Sequence, residues 1–324
     1  MKLAQASNPS AGFVSNLTVS NIAFLFSLSA VRPWLGIALV LGSATAWSYG
    51  GAIQRFIGMT DSWAIVFWRC LFGGLFLLSF MLIRDKASGT AKLFRAMGWP
   101  GLMIATGFAA VSTCFVLAVS MTPVANVVLF MAAIPLFAAL LARVLLGEPI
   151  TAITWGAIGA VLVGVAIMVA ASIGEGGSLL GLGLAALIPV IFACMTVLTR
   201  RHPGIRMTPA ACLGCFVASA IAAPMVGGFA VGLPDLALLF AFGALNLGLG
   251  MAMYVTGARM IPSALAALLG TAEMILAPVW MVLLHDEVPS ARTMIGGSIV
   301  LAALFTYPIG HMRREPGPRV PSAS

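Results

Sequence analysis

Apolar residues along this chain come in runs of about 20, separated by short breaks that hold charged residues, proline or glycine. A helix needs roughly 20 apolar residues to cross about 30 Å of hydrocarbon, and in lipid only helices or closed barrels satisfy every backbone hydrogen bond. The pattern therefore predicts an all-α polytopic membrane protein. Its ten predicted transmembrane helices lie near residues 34–54, 63–83, 99–119, 122–146, 151–173, 179–199, 210–232, 235–257, 261–284 and 293–311.

Composition agrees with a fold whose solvent is lipid. Charged residues make up 8% of the 324 positions and apolar residues 61%, whereas soluble domains carry about 25% charged residues. The net charge of +8 would indicate nucleic-acid binding if Lys and Arg clustered with exposed aromatics on a soluble face. Here the basic residues lie in short loops, so we expect the lipid bilayer as a partner and no nucleic acid.

The basic residues also predict the orientation, because cytoplasmic loops carry an excess of Lys and Arg. With the N-terminus inside, fourteen of the 17 basic residues fall on the cytoplasmic side. They are Lys2, Arg32, Arg84, Lys86, Lys92, Arg95, Arg143, Arg200, Arg201, Arg206, Arg259, Arg313, Arg314 and Arg319. We expect a multi-pass protein of the bacterial inner membrane with both termini in the cytoplasm.

Comparison of the chain with itself reveals an internal repeat. Pro123 precedes Glu148 by the same distance as Pro262 precedes Glu287, and each glutamate is followed closely by a proline. Each copy holds five predicted spans. Because five is odd, the second copy must be inverted in the membrane relative to the first. Inverted repeats are typical of transporters whose central site opens alternately to either side.

The repeat divides the chain into four parts. Residues 34–173 form the first five-helix repeat and residues 179–311 the second. Residues 1–33 include a mildly apolar stretch like a weak secretion signal, but its Asn and Ser residues favour a cytoplasmic N-terminal tail. Residues 312–324 are basic and proline-rich, which predicts a disordered cytoplasmic tail.

The repeated pattern resembles that of a known family. Each copy has a proline before a small-residue helix, an inner proline (Pro135 or Pro278), a leucine-rich end and then a glutamate followed by proline; Arg69 lies early in the second span. This resembles the EamA family of the drug/metabolite transporter (DMT) superfamily, which includes bacterial amino-acid and metabolite exporters, over residues 34–310. The resemblance implies two five-helix bundles around a central cavity, lined mainly by spans 1, 3, 4, 6, 8 and 9.

Two ionisable residues lie within predicted spans, where a charge costs about 2.5–3.5 kcal/mol on insertion scales and normally faces a cavity or a partner. Glu273 could couple to protons or balance a substrate amine, or it could be a protonated acid bonded to the backbone. Trp280 shares its helical face. Arg69 could bind a substrate carboxylate, or it could tie helix ends together.

Other polar and aromatic residues in the predicted spans are cavity candidates, although each alone is as readily explained by packing or interhelical hydrogen bonding. They are Trp47, Ser48, Tyr49, Asn126, Asn246 and Tyr254.

Prolines and small residues suggest where helices bend and meet. Pro135, Pro189 and Pro278 interrupt spans 4, 6 and 9 and are candidate hinges, although prolines also occur in ordinary membrane helices. A small-residue face in the fifth span (Gly156, Ala160 and Gly164) predicts close packing within the protein and leaves open a homodimer.

No catalytic or cofactor motif is found. Cys212 and Cys215 form a C-x-x-C in an apolar run, without a second ligand pair, which favours packing. Glu148 and Glu287 lie at opposite membrane faces in the predicted topology, so they cannot share a catalytic site, and capping or hinge closing explains them better. His285, Asp286 and Glu287 form a cluster that is a poor metal site, because adjacent side chains point in different directions. We expect no metal, no cofactor and no enzyme activity.

These observations favour a secondary active transporter that exports small metabolites, with amino acids first, by alternating access. The alternative within the same class is a proton-coupled exporter of cationic drugs. Glu273 favours this alternative, whereas the lack of an acidic counterpart to Glu273 in span 4 argues against it. The alternative of another class is a membrane-embedded lipid-handling protein or enzyme, which would need converging polar groups near one membrane surface.

Overall fold

The computed structural model describes residues 34–147, 152–174, 178–202, 206–261 and 263–312, and these residues form helices and connecting loops. The helices, numbered in chain order, are α1 (Trp34–Phe56), α2 (Ser62–Ala96), α3 (Gly98–Met121), α4a (Val124–Met131), α4b (Ile134–Leu146), α5 (Ala152–Gly174), α6 (Leu179–Arg201), α7 (Met207–Ala222), α8 (Leu233–Gly257), α9a (Ser263–Gly270), α9b (Ala272–His285) and α10 (Ala291–Met312). The two tails, Glu148 and Pro262 lie outside the described residues.

Seven of these helices are long and apolar enough to cross a membrane: α1, α2, α3, α4 with both halves, α6, α7 and α8. In α5, α9 and α10 the described apolar stretches are shorter, at Trp155–Ala170, Ala272–His285 and Ala291–Ala303. The described residues therefore give an all-helical multi-pass membrane protein with seven helices of spanning length, where the sequence predicts ten spans.

Helix ends gather on two opposite faces. On the first, which we call the Glu287 face, Arg55 at the end of α1 pairs with Glu287 after α9b, with Nε and Oε2 3.3 Å apart. On the same face the Gly58 N–H, after α1, donates to Asp235 Oδ1 at the start of α8, at 3.0 Å.

The second face, which we call the Arg84 face, collects the other ends. Arg259 follows α8, and partial burial together with the positive charges of Arg206 and Arg84 lowers the pKa of Arg259. The start of α1 lies here too, because a Cβ on Gly36 would stand 3.1 Å from the carbonyl of Gly257 at the end of α8. The like charges agree with the basic loops that the sequence assigns to one side.

The second repeat runs in the opposite direction to the first. The first repeat begins on the Arg84 face, where α1 starts. The second begins on the Glu287 face, because Gly181 at the start of α6 lies against Met121 at the end of α3, and its Cβ position is 2.8 Å from the Met121 Cβ. Met121 adjoins Thr122, whose carbonyl accepts from Arg55.

The packing of the helices follows the same symmetry. The symmetry relates each helix to the helix five places along the chain. The pairs α2–α7, α4–α9 and α5–α10 therefore join equivalent helices of the two repeats, and the two helices of each pair are in contact. The same symmetry relates three further contacting pairs, α3–α6, α3–α7 and α4–α6, to the pairs α8–α1, α8–α2 and α9–α1. The helices of these three related pairs are in contact as well. These contacts all join one repeat to the other, so the two repeats are interleaved rather than separate bundles.

Two helices differ in length from the sequence prediction. Span 7 was expected to reach residue 232, but α7 ends at Ala222 with one further turn of 3-10 helix, and residues 226–232 are not helical. Three glycines in this segment explain the early end, because glycine disfavours helix by about 1 kcal/mol. In α2 the helix continues past residue 83 to Ala96 with a kink at Lys86.

Asp61 fastens the loop that follows α7 to the start of α2. Its Oδ1 accepts from the Trp63 and Ala64 N–H groups, at 2.9 and 3.3 Å, and so caps the helix. Its Oδ2 accepts from the Gly227 N–H at 2.9 Å. These bonds, led by the one from Gly227, hold the pKa of Asp61 below its ordinary value of 3.8.

Close approach of α5 to α10 depends on glycine. A Cβ on Gly164 would stand 2.6 Å from the Gly296 carbonyl oxygen, whereas the Cβ positions of Gly156 and Gly159 meet nothing within 4 Å. One end of the predicted small-residue face is therefore covered within the protein. The Gly156 end is open, and the homodimer stays a prediction.

We expect Gly164→Ala to lower the free energy of unfolding by about 1–3 kcal/mol, because a backbone oxygen cannot yield to the added methyl group. Gly159→Ala in the same helix is the matched control and should be neutral or slightly stabilising, since alanine favours helix where space allows. Thermal unfolding of both purified variants in detergent checks this. A shift of equal sign and size for the two variants would contradict the α5–α10 packing.

Candidate functional site

Two helices at equivalent places in the repeats, α4 and α9, are broken near their middle. The break in α4 lies at Ala132 and Ala133, with Pro135 in the first turn of α4b. The break in α9 lies at Thr271. Each break starts a new helix inside the predicted membrane region, and the first turn of a helix carries the positive end of its dipole. Transporters use such half-helix termini for ion and substrate sites.

Glu273 lies in the first turn of α9b. A carboxylate is favoured there because it meets the positive end of the helix dipole. Its side chain is half-buried, between fully enclosed and exposed, although it stands midway along the broken helix. The structure thus places an ionisable side chain at the break between the two halves of α9.

Aromatic side chains surround the junction of α1, α8 and α9. The rings of Trp47 and Tyr254 are 5.4 Å apart at their centroids, and Tyr254 reaches the end of α9a, where a Cβ on Gly270 would stand 3.8 Å from its ring. Trp280, seven residues after Glu273, donates from Nε1 to Ser48 Oγ at 2.9 Å. We call Trp47, Tyr254 and Trp280, whose contacts join α1 to α8 and α9, the aromatic wall.

Asn246 connects α8 to α1. Its Nδ2 donates to the carbonyls of Ala46 and Trp47, at 2.6 and 3.1 Å. These residues lie just before Tyr49, where α1 is interrupted by a turn. Asn246 is in a π-helical stretch of α8, Ala241–Leu249, and such stretches are frequent at functional sites.

The remaining amide and phenol candidates are less central. Asn126 is 1% exposed and lies in the first turn of α4a. Tyr49 is half-buried at the turn in α1.

Arg69 is enclosed by α2, α3 and α8. It is 5% exposed, its Nη1 donates to Ser112 Oγ at 2.9 Å, and its guanidinium lies 4.3 Å from the Phe242 ring centroid and 5.2 Å from that of Phe115. Among the described residues its Nε has no hydrogen-bond partner. The charge of Glu273 acts on Arg69 electrostatically, although the two do not form an ion pair within 4 Å.

The structure treats the three hinge candidates differently. The break in α4 directly precedes Pro135. Pro278 lies inside α9b, seven residues after the break in α9, and Pro189 lies inside α6, which continues through it. The hinge roles of the three prolines stay predictions. In α9 the break lies at Thr271 and not at Pro278.

Sequence reasoning missed the contacts that join the ends of α9 and α1. His285 Nε2 lies 3.0 Å from the Ala52 carbonyl, and Glu287 pairs with Arg55. No sequence motif marks Ala52 or Arg55, and Arg55 is not among the fourteen basic residues assigned to the cytoplasmic side. The capping interpretation of Glu287 is supported, because its Oε1 accepts from the Val124 N–H at 3.1 Å.

A cavity of about 180 Å³ opens between α4b and α6, away from these residues. It is lined by Phe137, Leu140, Leu141, Val144, Val190 and Ala193. This apolar cleft contains none of the candidate site residues. All five cysteines are free, and Cys70, Cys212 and Cys215 are buried among apolar side chains.

Comparison with known proteins decides the family. The model of the EamA-like transporter family matches residues 34–170 and again residues 176–307. The chain belongs to the EamA-like transporter family. This family is part of the DMT superfamily, and its two matches coincide with the two inverted repeats.

A solved structure described as "Crystal structure of protein" has the same fold as this EamA-like protein. The TM-score is 0.61 at 18% identity, over 86% of this chain and 99% of the other. No curated protein matches the chain. Membership of the EamA-like family thus rests on the family model, and the solved structure supports the fold alone.

We expect Asn246→Asp to destabilise this EamA-like protein by about 1–3 kcal/mol, because a carboxylate has no donor for the two α1 carbonyls and buried polar atoms left unpaired cost that much. Ser43→Ala is the control, since Ser43 is also buried but donates within its own helix to the Val40 carbonyl. Thermal unfolding compares the variants. Equal stability of Asn246→Asp and the parent would remove Asn246 as the link between α1 and α8.

Proposed function

We propose that this EamA-like protein is a secondary active transporter that exports small metabolites, amino acids first, by alternating access. The observation that carries the proposal is the position of Glu273 in the first turn of the half-helix α9b, three residues after Gly270, which faces the Tyr254 ring. A single carboxylate on a half-helix terminus between inverted repeats suits a solute site that can face either side.

The charges favour a zwitterionic substrate. Glu273 can accept a substrate ammonium group, and the aromatic wall of Trp47, Tyr254 and Trp280 can pack on an apolar or aromatic side chain. Arg69 supplies positive charge whose field reaches Glu273. Because Arg69 is enclosed by Ser112 and two phenylalanines, we propose that its main role is to stabilise the packing of α2, α3 and α8. Direct contact with a substrate carboxylate is its secondary role.

A proton-coupled exporter of cationic drugs is the second candidate, supported by the same glutamate and aromatic wall. It is less favoured because the equivalent region of α4, residues 131–135, carries no acidic residue. A lipid-handling protein or enzyme, the alternative of another class, would need converging polar groups near one membrane surface. We favour a transporter over an enzyme because the family model that matches both repeats is one of transporters.

We further propose that all ten helices cross the bacterial inner membrane, with the Arg84 face in the cytoplasm. The basic residues Arg84, Arg206 and Arg259 share that face, as cytoplasmic loops prefer. Both termini would then be cytoplasmic. A homodimer through the open end of the small-residue face of α5 is a separate proposal.

Counterflow in liposomes tests the function. Purified protein is reconstituted, the vesicles are loaded in turn with unlabelled amino acids, and the same labelled compound is offered outside. Transient accumulation of label with one compound identifies a carrier and its substrate class. Absence of accumulation with every amino acid, in protein shown to be folded, would contradict the amino-acid proposal and direct the same assay to organic cations.

We expect Glu273→Gln to reduce counterflow at least about tenfold, because one charge-assisted hydrogen bond to the substrate contributes roughly 1.5–3 kcal/mol. Asp286→Asn is the control: Asp286 is exposed, lies in the left-handed conformation that asparagine tolerates, and carries the same charge. Its counterflow should stay at the parent level. Unchanged counterflow and unchanged pH dependence in Glu273→Gln would exclude Glu273 from the mechanism.

A further inference from the structure

On the Glu287 face, a single carboxylate joins three helix ends. Glu287 Oε1 accepts from the Val124 N–H at 3.1 Å, at the start of α4a. Its Oε2 lies 3.3 Å from Arg55 Nε, at the end of α1. Arg55 in turn donates from Nη2 to the Thr122 carbonyl at 3.4 Å. We call Arg55 and Glu287, with their backbone partners, the latch.

The chain places Glu287 by a tight turn. Asp286 adopts a left-handed conformation, with φ of 52°, and ends α9b. The following Glu287 N–H donates back to the Met281 carbonyl at 3.2 Å. The carboxylate therefore points from the end of α9b toward the start of α4a, where the dipole of that half-helix favours a negative charge.

Contacts below the latch hold the same two helices together. The His285 ring lies 4.3 Å from that of Phe56, centroid to centroid, and its Nε2 lies 3.0 Å from the Ala52 carbonyl. One turn and a half deeper, Trp280 donates to Ser48. The half of α9 nearest this face is thus fixed along α1 by polar contacts at several levels.

The contacts of Glu287, His285 and Trp280 with α1 and α4a cross from the second repeat to the first, whereas the bond from Arg55 to Thr122 stays within the first. Separation of the repeats on this face would therefore break every one of the crossing contacts. The side chains of Arg55 and Glu287 are 34% and 25% exposed, so water can replace their contacts, and ion pairs of that exposure are weak. A weak, partly exposed contact of this kind can break and form again repeatedly.

We propose that Arg55 and Glu287 form the gate of the Glu287 face. This gate is closed in the conformation described here and opens when the transporter opens to that side. This proposal rests on the alternating-access function proposed above. It assigns to the glutamate of the second repeat the role of closing one face of the membrane.

A cysteine reporter tests the gate without any substrate. Ala277 is 2% exposed and belongs to the buried cluster of α4a and α9b beneath the latch. Ala277→Cys protein in lipid nanodiscs is treated with a membrane-impermeant maleimide. Peptide mass spectrometry then measures alkylation at position 277 separately from the five native cysteines.

Loss of the latch charge should expose the reporter. We expect Glu287→Gln and Arg55→Gln, each in the Ala277→Cys protein, to raise the alkylation rate about threefold, the factor expected when a half-exposed ion pair is lost. Asp235→Asn is the matched control, because Asp235 is a carboxylate on the same face that accepts from the Gly58 N–H and takes no part in the latch. An unchanged rate in both latch variants, or an equal rise with Asp235→Asn, would overturn the gate.

Cross-linking provides the complementary result in protein that folds normally. Arg55→Cys together with Glu287→Cys is treated with a short bis-methanethiosulfonate reagent, which should stop counterflow, and dithiothreitol should restore it. Continued counterflow after complete cross-linking would contradict a gate that must part. If alkylation responds as expected but no compound shows counterflow, the gate stands and the transport proposal fails.

Discussion

A polar group inside a bilayer must find its partner within the protein, because lipid supplies none. This constraint decides where the polar residues of the chain can lie. Asn246, Ser48 and Arg69 each contact a group on another helix, and in the first two cases that helix belongs to the other repeat. The interior between the repeats is the place where broken helices and a carboxylate can be accommodated, and the candidate site lies there for that reason.

Interleaving of the repeats makes this interior adjustable. Helices of opposite repeats approach closely where one of them carries glycine, as at Gly164 with Gly296 and at Gly243, where a Cβ would collide with the Arg69 carbonyl oxygen. Such surfaces are small and apolar and hold the repeats by packing. At the Glu287 face the contacts are instead polar and partly exposed. The apolar contacts at glycine suit an interior that stays packed, and the polar contacts suit a face that can open.

Hydrophobic runs and the internal repeat predicted the helical membrane fold and the inverted arrangement, because lipid imposes span length and an odd number of spans imposes inversion. The family was predicted from the resemblance that the repeated motif carries. They could not predict the end of α7 at its glycine-rich segment or the break in α9 at Thr271, since no proline marks that break. The sequence singled out Glu273, Trp280 and Asn246 as polar or aromatic residues within spans. Their partners Ser48, Ala46 and Trp47 depend on how α1 packs against α8 and α9, and a single sequence does not encode that register in any local pattern.

Distances measured by double electron–electron resonance test the account most directly. One spin-label pair joins Ser120 at the end of α3 to Val288 after α9b on the Glu287 face, and the other joins Val144 in α4b to Arg259 after α8 on the Arg84 face. Alternating access predicts two populations for each pair, with conditions that lengthen the first distance shortening the second. A single fixed distance for both pairs, or distances that lengthen together, would contradict it.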